Sequence, residues 1–179
     1  KFISIHAQSQ AYENQALSIE CQQTISQPYI VAHMTQCLLE NKTLSSLKIL
    51  EIGTGSGYQA AILSELVNEV YTIERIEQLY KTAQQILKKL HYKNIYFRYG
   101  DGHLGWPDAA PFDGIMVTAG TDCVPPALLE QLSPYQGRLI IPVGSSRDLD
   151  LISITRHKDD YHTDIIEKVS FVPLKPGVE

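Results

Sequence analysis

The chain has 179 residues, 44% apolar and 20% charged, a length and balance that suit one globular domain with a full core. Fifteen basic against 20 acidic residues give a formal net charge of -5, without the basic surplus that usually meets nucleic acids and anionic membranes. No apolar run approaches the ~18 residues of a membrane helix, so neither a membrane nor a nucleic-acid partner is expected.

Residues 1–25 mix polar and apolar side chains without period and read as irregular. The start, Lys1-Phe2-Ile3-Ser4, shows no signal-peptide pattern, and without an initial Met it suits a trimmed chain or part of a longer one. Cys21, Cys37 and Cys123 are odd in number and form no C-x-x-C pair, as expected of reduced thiols in the cytoplasm. Ser26-Gln27-Pro28 is a helix start, with Ser26 as N-cap, and Ile30, Val31, Met34 and Leu38 carry the helix to about Glu40. Lys48–Ile52 is a strand that runs into the glycine loop Gly53-Thr54-Gly55-Ser56-Gly57, and a helix follows through Leu66. Val70–Ile73 is a β-branched strand, Leu79 to Leu90 a helix, and Ile95–Tyr99 a strand closed by Gly100-Asp101-Gly102. Residues 103–111 read as loop, Phe112–Thr118 as a fourth strand, Pro125 to Leu132 as a helix and Arg138–Ile141 as a fifth strand. Leu149–Thr155 and Ile165–Val172 read as a hairpin around a polar turn.

This alternation predicts an α/β fold: a mostly parallel sheet with helices on both faces and an antiparallel C-terminal edge. One domain is expected, with an irregular segment 1–25, a cofactor-binding core 26–144 and C-terminal strands 145–179. Such sheets bind ligands at the carboxyl ends of their strands. There the chain places the glycine loop, Glu74 and Asp101. The loop is G-x-G-x-G and lacks the third glycine of the dinucleotide fingerprint, whose place holds Tyr58. An acid at Glu74 can accept both hydroxyls of a ribose, and one at Asp101 an exocyclic adenine amine. Acids at consecutive strand ends favour a nucleoside lying across the sheet. The six histidines form no metal-ligand pattern, so no metal is expected.

Thr24-Ile25-Ser26-Gln27-Pro28-Tyr29, Leu50 to Tyr58, Gly100-Asp101-Gly102, Pro111-Phe112-Asp113 and Ile141-Pro142-Val143-Gly144 resemble the protein-L-isoaspartate O-methyltransferases, and the likeness runs from Lys1 to Leu174. The resemblance implies a Rossmann-like methyltransferase fold and a cytoplasmic repair enzyme, taken as a monomer. It would move a methyl group from S-adenosyl-L-methionine to the α-carboxyl of isoaspartyl residues in damaged proteins and peptides. The methyl ester then closes to a succinimide that can reopen as normal aspartate. The resemblance further implies that Ser26 is the active-site residue. Cofactor contacts would come from Thr24, Ile25, Glu51, Gly53, Thr54, Gly55, Ser56, Gly57, Glu74, Asp101 and Gly102. Pro142 and Val143 would line the peptide site.

An α-carboxyl of pKa ~3.5 is already ionised at neutral pH, so methyl transfer to it needs no general base. Ser26 would orient this carboxylate; its plainer reading is the helix cap. Glu20-Cys21-Gln22-Gln23 stands where the family is commonly rich in glycine, and strain is expected there if the loop needs positive φ. Two rivals are a nicotinamide oxidoreductase, opposed by the glycine spacing, and a methyltransferase-like protein that binds cofactor without isoaspartyl activity.

Overall fold

The computed structural model describes residues 1–145 and 148–179; of the segment read as C-terminal strands, Ser146 and Arg147 lie outside the described residues. The chain runs β1 (Leu17–Ser18), β2 (Thr24–Ile25), α1 (Pro28–Leu39), β3 (Lys48–Ile52), α2 (Tyr58–Ser64), β4 (Glu69–Glu74), α3 (Glu77–Lys89) and β5 (Ile95–Tyr99). It continues through β6 (Gly114–Val117), α4 (Pro126–Glu130), β7 (Tyr135–Val143), β8 (Leu149–His157) and β9 (Asp160–Val169).

Strands buried on both faces read as nearly continuous apolar runs, and β3 and β6 are of this kind. Their alternate side chains divide the core in two. Ile49 and Met116 join Met34 and Leu38 of α1, Ala60 and Leu63 of α2 and Leu87 of α3. Leu50, Ile52, Ile115 and Val117 join Leu128 of α4 and Phe112 on the other face. Three helices therefore cover one face, while α4 and the 3-10 turns Gly102–Leu104 and Pro107–Ala109 lie on the other side of the chain's path.

The seven-stranded sheet has the order β5-β4-β3-β6-β7-β8-β9. The pairs β3–β4, β4–β5, β3–β6 and β6–β7 are parallel, and β7–β8 and β8–β9 are antiparallel. From central β3 the chain winds out to β5 and returns to β6 on the opposite side. The carboxyl end of β3 is thus a switch point, where connections diverge and leave a crevice.

The fold class is as expected, with local differences. Residues 1–25 are not wholly irregular: β1 and β2 form a small antiparallel pair in which Leu17 faces Ile25. Phe112 leaves the fourth strand, because its N–H donates to the Gln131 carbonyl at 2.8 Å instead of to a strand neighbour. β7 is longer than its apolar run, since β8 pairs with it from Tyr135 to Val143. Ser26 is not the N-cap of α1. That position is Gln27, which makes no side-chain cap bond, and Pro28 opens the helix.

Candidate functional site

The glycine loop leaves β3 with Gly53 at φ +97°, where a Cβ would stand 2.5 Å from Thr118 Oγ1. Thr118 holds this close approach by donating its hydroxyl to the carbonyls of Ile52 (3.0 Å) and Gly53 (2.9 Å). At the far end Gly57, φ +86°, caps α2 in the left-handed region and packs where a Cβ would meet Leu87 Cδ1 at 2.9 Å. Only glycine satisfies both geometries.

The loop is tied to β4. The amides of Gly53 and Thr54 donate to the Ile73 carbonyl at 2.9 and 3.2 Å. Gly55 N–H donates to Glu74 Oε2 at 2.8 Å, while Arg75 N–H and Ile76 N–H donate to Oε1 at 2.9 and 3.0 Å. A carboxylate offers about four acceptor sites, so three are already used and a ligand hydroxyl must share the Oε2 side with Gly55. Glu74 thus shapes the loop as well as facing the cavity beside it.

That cavity, about 290 Å³, is lined by Thr24, Gly53, Gly55, Glu74 and Gly102 among the predicted residues. A neighbouring pocket of about 40 Å³ is bounded by Thr24, Ile25, Ser26, Thr54, Ser56 and the shared Gly53 and Gly55. The Ser26 hydroxyl is half-buried and has no hydrogen-bond partner among the described residues. The chain therefore leaves it free for a ligand.

Five predicted positions lie behind these walls or away from them. Gly57 is buried at the start of α2. Asp101 lies at the end of β5, where burial pushes its pKa up but is outweighed by hydrogen bonds from Gly177 N–H (2.7 Å), His103 N–H (2.9 Å) and His103 Nδ1 (2.9 Å), so the carboxyl sits below its usual range. Pro142 and Val143 are held through Thr121, whose N–H donates to the Pro142 carbonyl at 3.1 Å, and line neither cavity. Glu51 is fully buried beneath the loop.

Glu51 Oε2 accepts from Thr72 Oγ1 at 2.5 Å, and Thr72 Oγ1 lies 2.6 Å from Thr54 Oγ1. Oε1 has no partner among the described residues. Burial pushes the carboxyl pKa up to about 8, the Thr72 hydrogen bond opposes this, and the charge of Glu74 adds to it. The folded state therefore holds a proton that the unfolded chain, with an ordinary carboxyl near 4.5, releases. This stabilising contribution is whole below pH 4.5 and is lost as pH rises through about 8. We expect the melting temperature to fall between about pH 5 and about pH 8.5, and Glu51→Gln to flatten that slope, as followed by circular dichroism. An equally steep decline in the variant would locate the titrating group elsewhere.

The segment before Thr24 does need positive φ, at Cys21 (56°) and Gln22 (57°), and both line the larger cavity. Left-handed backbone costs a non-glycine residue roughly 1–2 kcal/mol, against roughly 0.5–1 kcal/mol of extra chain entropy for glycine. Gln22→Gly should therefore stabilise the protein by up to ~1 kcal/mol in urea denaturation. A lower unfolding midpoint would show that the Gln22 side chain contributes more than its backbone costs.

The sequence reading missed Thr118 and the segment Val172 to Lys175, which also line the larger cavity. Thr118 could have been found, being at the carboxyl end of a parallel strand. The tail could not: its place at the site depends on long-range bonds, among them Gly120 N–H to the Val172 carbonyl (2.8 Å) and Leu174 N–H to the Gly120 carbonyl (2.6 Å).

Comparison with known proteins bears on this site. The family model described as protein-L-isoaspartate(D-aspartate) O-methyltransferase matches residues 1–179. A Shewanella amazonensis protein-L-isoaspartate O-methyltransferase is 54% identical over 176 residues, 98% of this chain and 81% of the relative. One from Shewanella frigidimarina is 56% identical over 167 residues, 93% of this chain and 77% of the relative. A solved protein-L-isoaspartate O-methyltransferase superposes with TM-score 0.86 at 28% identity, covering 96% of this chain and 56% of its own. A Plasmodium falciparum protein described as a beta-aspartate methyltransferase, solved with S-adenosyl-L-homocysteine, shares the fold at TM-score 0.81 and 24% identity, covering 92% of this chain and 81% of its own.

Proposed function

Because the chain belongs to the protein-L-isoaspartate(D-aspartate) O-methyltransferase family, we propose that it transfers a methyl group from S-adenosyl-L-methionine to the α-carboxyl of L-isoaspartyl residues in damaged proteins and peptides. The observation that carries this reading is the meeting of a free Ser26 hydroxyl and the glycine loop on one pocket, beside the cavity that Glu74 faces.

The residues present fit the cofactor. Gly53 and Gly55 line the larger cavity at positive φ, so bare loop backbone faces the ligand space, and Glu74 offers ribose an acceptor. Asp101 stands one strand further on, where an adenine amine can exchange with Gly177 N–H. When bound, S-adenosylmethionine supplies an activated methyl group. This chain's own residues then have three tasks. The loop and Glu74 fix the cofactor, Ser26 donates a hydrogen bond that aims the substrate carboxylate, and the walls of Ile25, Ile30 and Met34 keep water from it. Orientation and removal of water from the nucleophile carry the catalysis. No base is needed, since the carboxylate is ionised at neutral pH. Pro142 and Val143 serve the peptide side in this reading.

Work as a monomer in the cytoplasm on peptides and not on nucleic acid belongs to the same proposal. The three free thiols and the net charge of -5 support it. No helix among the described residues is long and apolar enough to cross a membrane. The test is conversion of an isoaspartyl peptide in the presence of S-adenosylmethionine, followed by reversed-phase chromatography. Succinimide and then normal aspartyl peptide should accumulate. Unchanged isoaspartyl peptide with a folded, cofactor-bound protein contradicts the reading.

A further inference from the structure

The Ser26 pocket has a second polar wall. Gln59, in the first turn of α2, is buried and borders that pocket together with Ile30, Val31 and Met34 of α1. Its Nε2 donates to Thr35 Oγ1 at 2.9 Å, and Thr35 Oγ1 lies 2.7 Å from the Val31 carbonyl. A carbonyl cannot donate, so the single Thr35 proton is spent on Val31 and the hydroxyl can only accept from Gln59. This fixes which way round the amide stands: NH2 against α1, Oε1 turned away from it. Oε1 has no hydrogen-bond partner among the described residues. The polar side-chain atoms sealed from water without a partner are, among those residues, Glu51 Oε1, Arg98 Nη1 and Glu167 Oε1. Gln59 Oε1 is not one of them, so it reaches open space, and the space this side chain borders is the Ser26 pocket.

The other buried glutamine shows what a purely structural amide does in this fold. Gln131 uses both ends: Trp106 N–H donates to its Oε1 at 2.7 Å, and its Nε2 donates to the Leu104 carbonyl at 2.9 Å. Gln59 spends one end on α1 and keeps the other for the pocket. We propose that Gln59 Oε1 accepts the N–H of the isoaspartyl residue whose carboxylate Ser26 holds, so that the two side chains together select isoaspartate over aspartate. The inference rests on the assignment of isoaspartyl methyl transfer to this pocket.

Covalent geometry supplies the selectivity. In an isoaspartyl residue the reactive carboxylate and the peptide N–H are carried by the same carbon. In an aspartyl residue a methylene stands between the carboxylate and the carbon that bears nitrogen, so the N–H lies one bond further off. A pocket of about 40 Å³, with a donor hydroxyl on one wall and a fixed acceptor on another, satisfies both groups of the first residue and only one of the second. The acceptor also opposes a carboxylate turned toward it, since two acceptors would then face each other. Substrate therefore enters one way round, carboxylate to Ser26 and N–H to Gln59. Ile30, Val31 and Met34 on the same wall exclude water that would otherwise replace either partner.

The experiment compares an isoaspartyl peptide with its ester analogue, in which oxygen replaces the isoaspartyl N–H. kcat/KM for methyl transfer is measured with the full chain at saturating S-adenosylmethionine, and S-adenosylhomocysteine affinity by calorimetry. The wild type should prefer the amide on the order of tenfold, through one lost hydrogen bond and the oxygen–oxygen contact that replaces it. Gln59→Leu should bring that ratio near one by slowing the amide, with S-adenosylhomocysteine affinity within about twofold of wild type. A loss of packing alone would slow both peptides alike and leave the ratio unchanged. If Gln59→Leu does not fold, Thr35→Val serves: it frees the amide to turn, and the ratio should fall between that of the wild type and one. A wild-type ratio near one overturns the proposal, as does a Gln59→Leu ratio equal to that of the wild type. If the unchanged ratio comes with S-adenosylhomocysteine bound more than about tenfold more weakly, Oε1 serves the amino group of the cofactor instead. If the wild type methylates neither peptide, the isoaspartyl reading fails and takes this inference with it.

Discussion

Replacing Ser26 by alanine should lower turnover of an isoaspartyl peptide on the order of tenfold to a hundredfold and leave S-adenosylhomocysteine affinity nearly unchanged. A hydrogen bond to a charged group is worth about 1.5–3 kcal/mol, and in the proposed role it acts on the substrate carboxylate. The structure removes the competing explanation. Were Ser26 the N-cap of α1, alanine would cost about 1 kcal/mol of stability and glycine only a few tenths. Gln27 occupies that position, and no side chain caps the helix. Ser26→Ala and Ser26→Gly should therefore be equally slow and melt close to the wild type. Wild-type turnover in the glycine variant, measured under saturating cofactor, would show that the hydroxyl has no part in the reaction.

Glu74→Ala should do more. It removes the acceptor proposed for ribose and also strands the amides of Gly55, Arg75 and Ile76, which all donate to this carboxylate. Each buried donor left unpaired costs about 1–3 kcal/mol, though the three are neighbours and will not add fully. We expect S-adenosylhomocysteine affinity to fall at least about a hundredfold, roughly 3 kcal/mol. Stability should fall by about 2–4 kcal/mol in the same variant. Glu74→Gln keeps one oxygen but turns its NH2 toward an amide donor, so it should lie between alanine and wild type in both measurements. Unchanged affinity in a folded Glu74→Ala protein would place the ribose elsewhere.

What could be read from sequence was local. β3 and β5 have the predicted limits, because short runs of β-branched or aromatic residues bounded by polar residues or glycine announce themselves. The α1 stripe of Ile30, Val31, Met34 and Leu38 is buried as its spacing implies. The misread cap has a local reason too: Ser26-Gln27-Pro28 offers two candidate cap positions, and Pro28 as the first helical residue selects Gln27. β1 and β2 have two residues each, too short to show a period, and depend on the Ile19 N–H bond to Gln23 O across the left-handed turn. The length of β7 and the path of the tail over the site depend on partners far along the chain. Glu51 illustrates a sequence signal read only in part. The resemblance makes it a cofactor contact, but its position in a strand flanked by apolar residues already implies that it points into the core. Spacing and resemblance pick out Gly53, Gly55, Glu74 and Ser26 as candidates, and the fold brings them to adjoining cavities.

The central claim is methyl transfer to isoaspartate at the pocket shared by Ser26 and the glycine loop, and methanol release tests it most directly. Two peptides of one sequence, isoaspartyl and aspartyl, are incubated with methyl-labelled S-adenosylmethionine, and volatile label is counted after ester hydrolysis. The isoaspartyl peptide should release methanol catalytically, the aspartyl peptide should stay near background, and Ser26→Ala should release it on the order of tenfold to a hundredfold more slowly. Tight S-adenosylhomocysteine binding with no methanol from either peptide would contradict the claim and leave a protein that binds the cofactor without repairing isoaspartate.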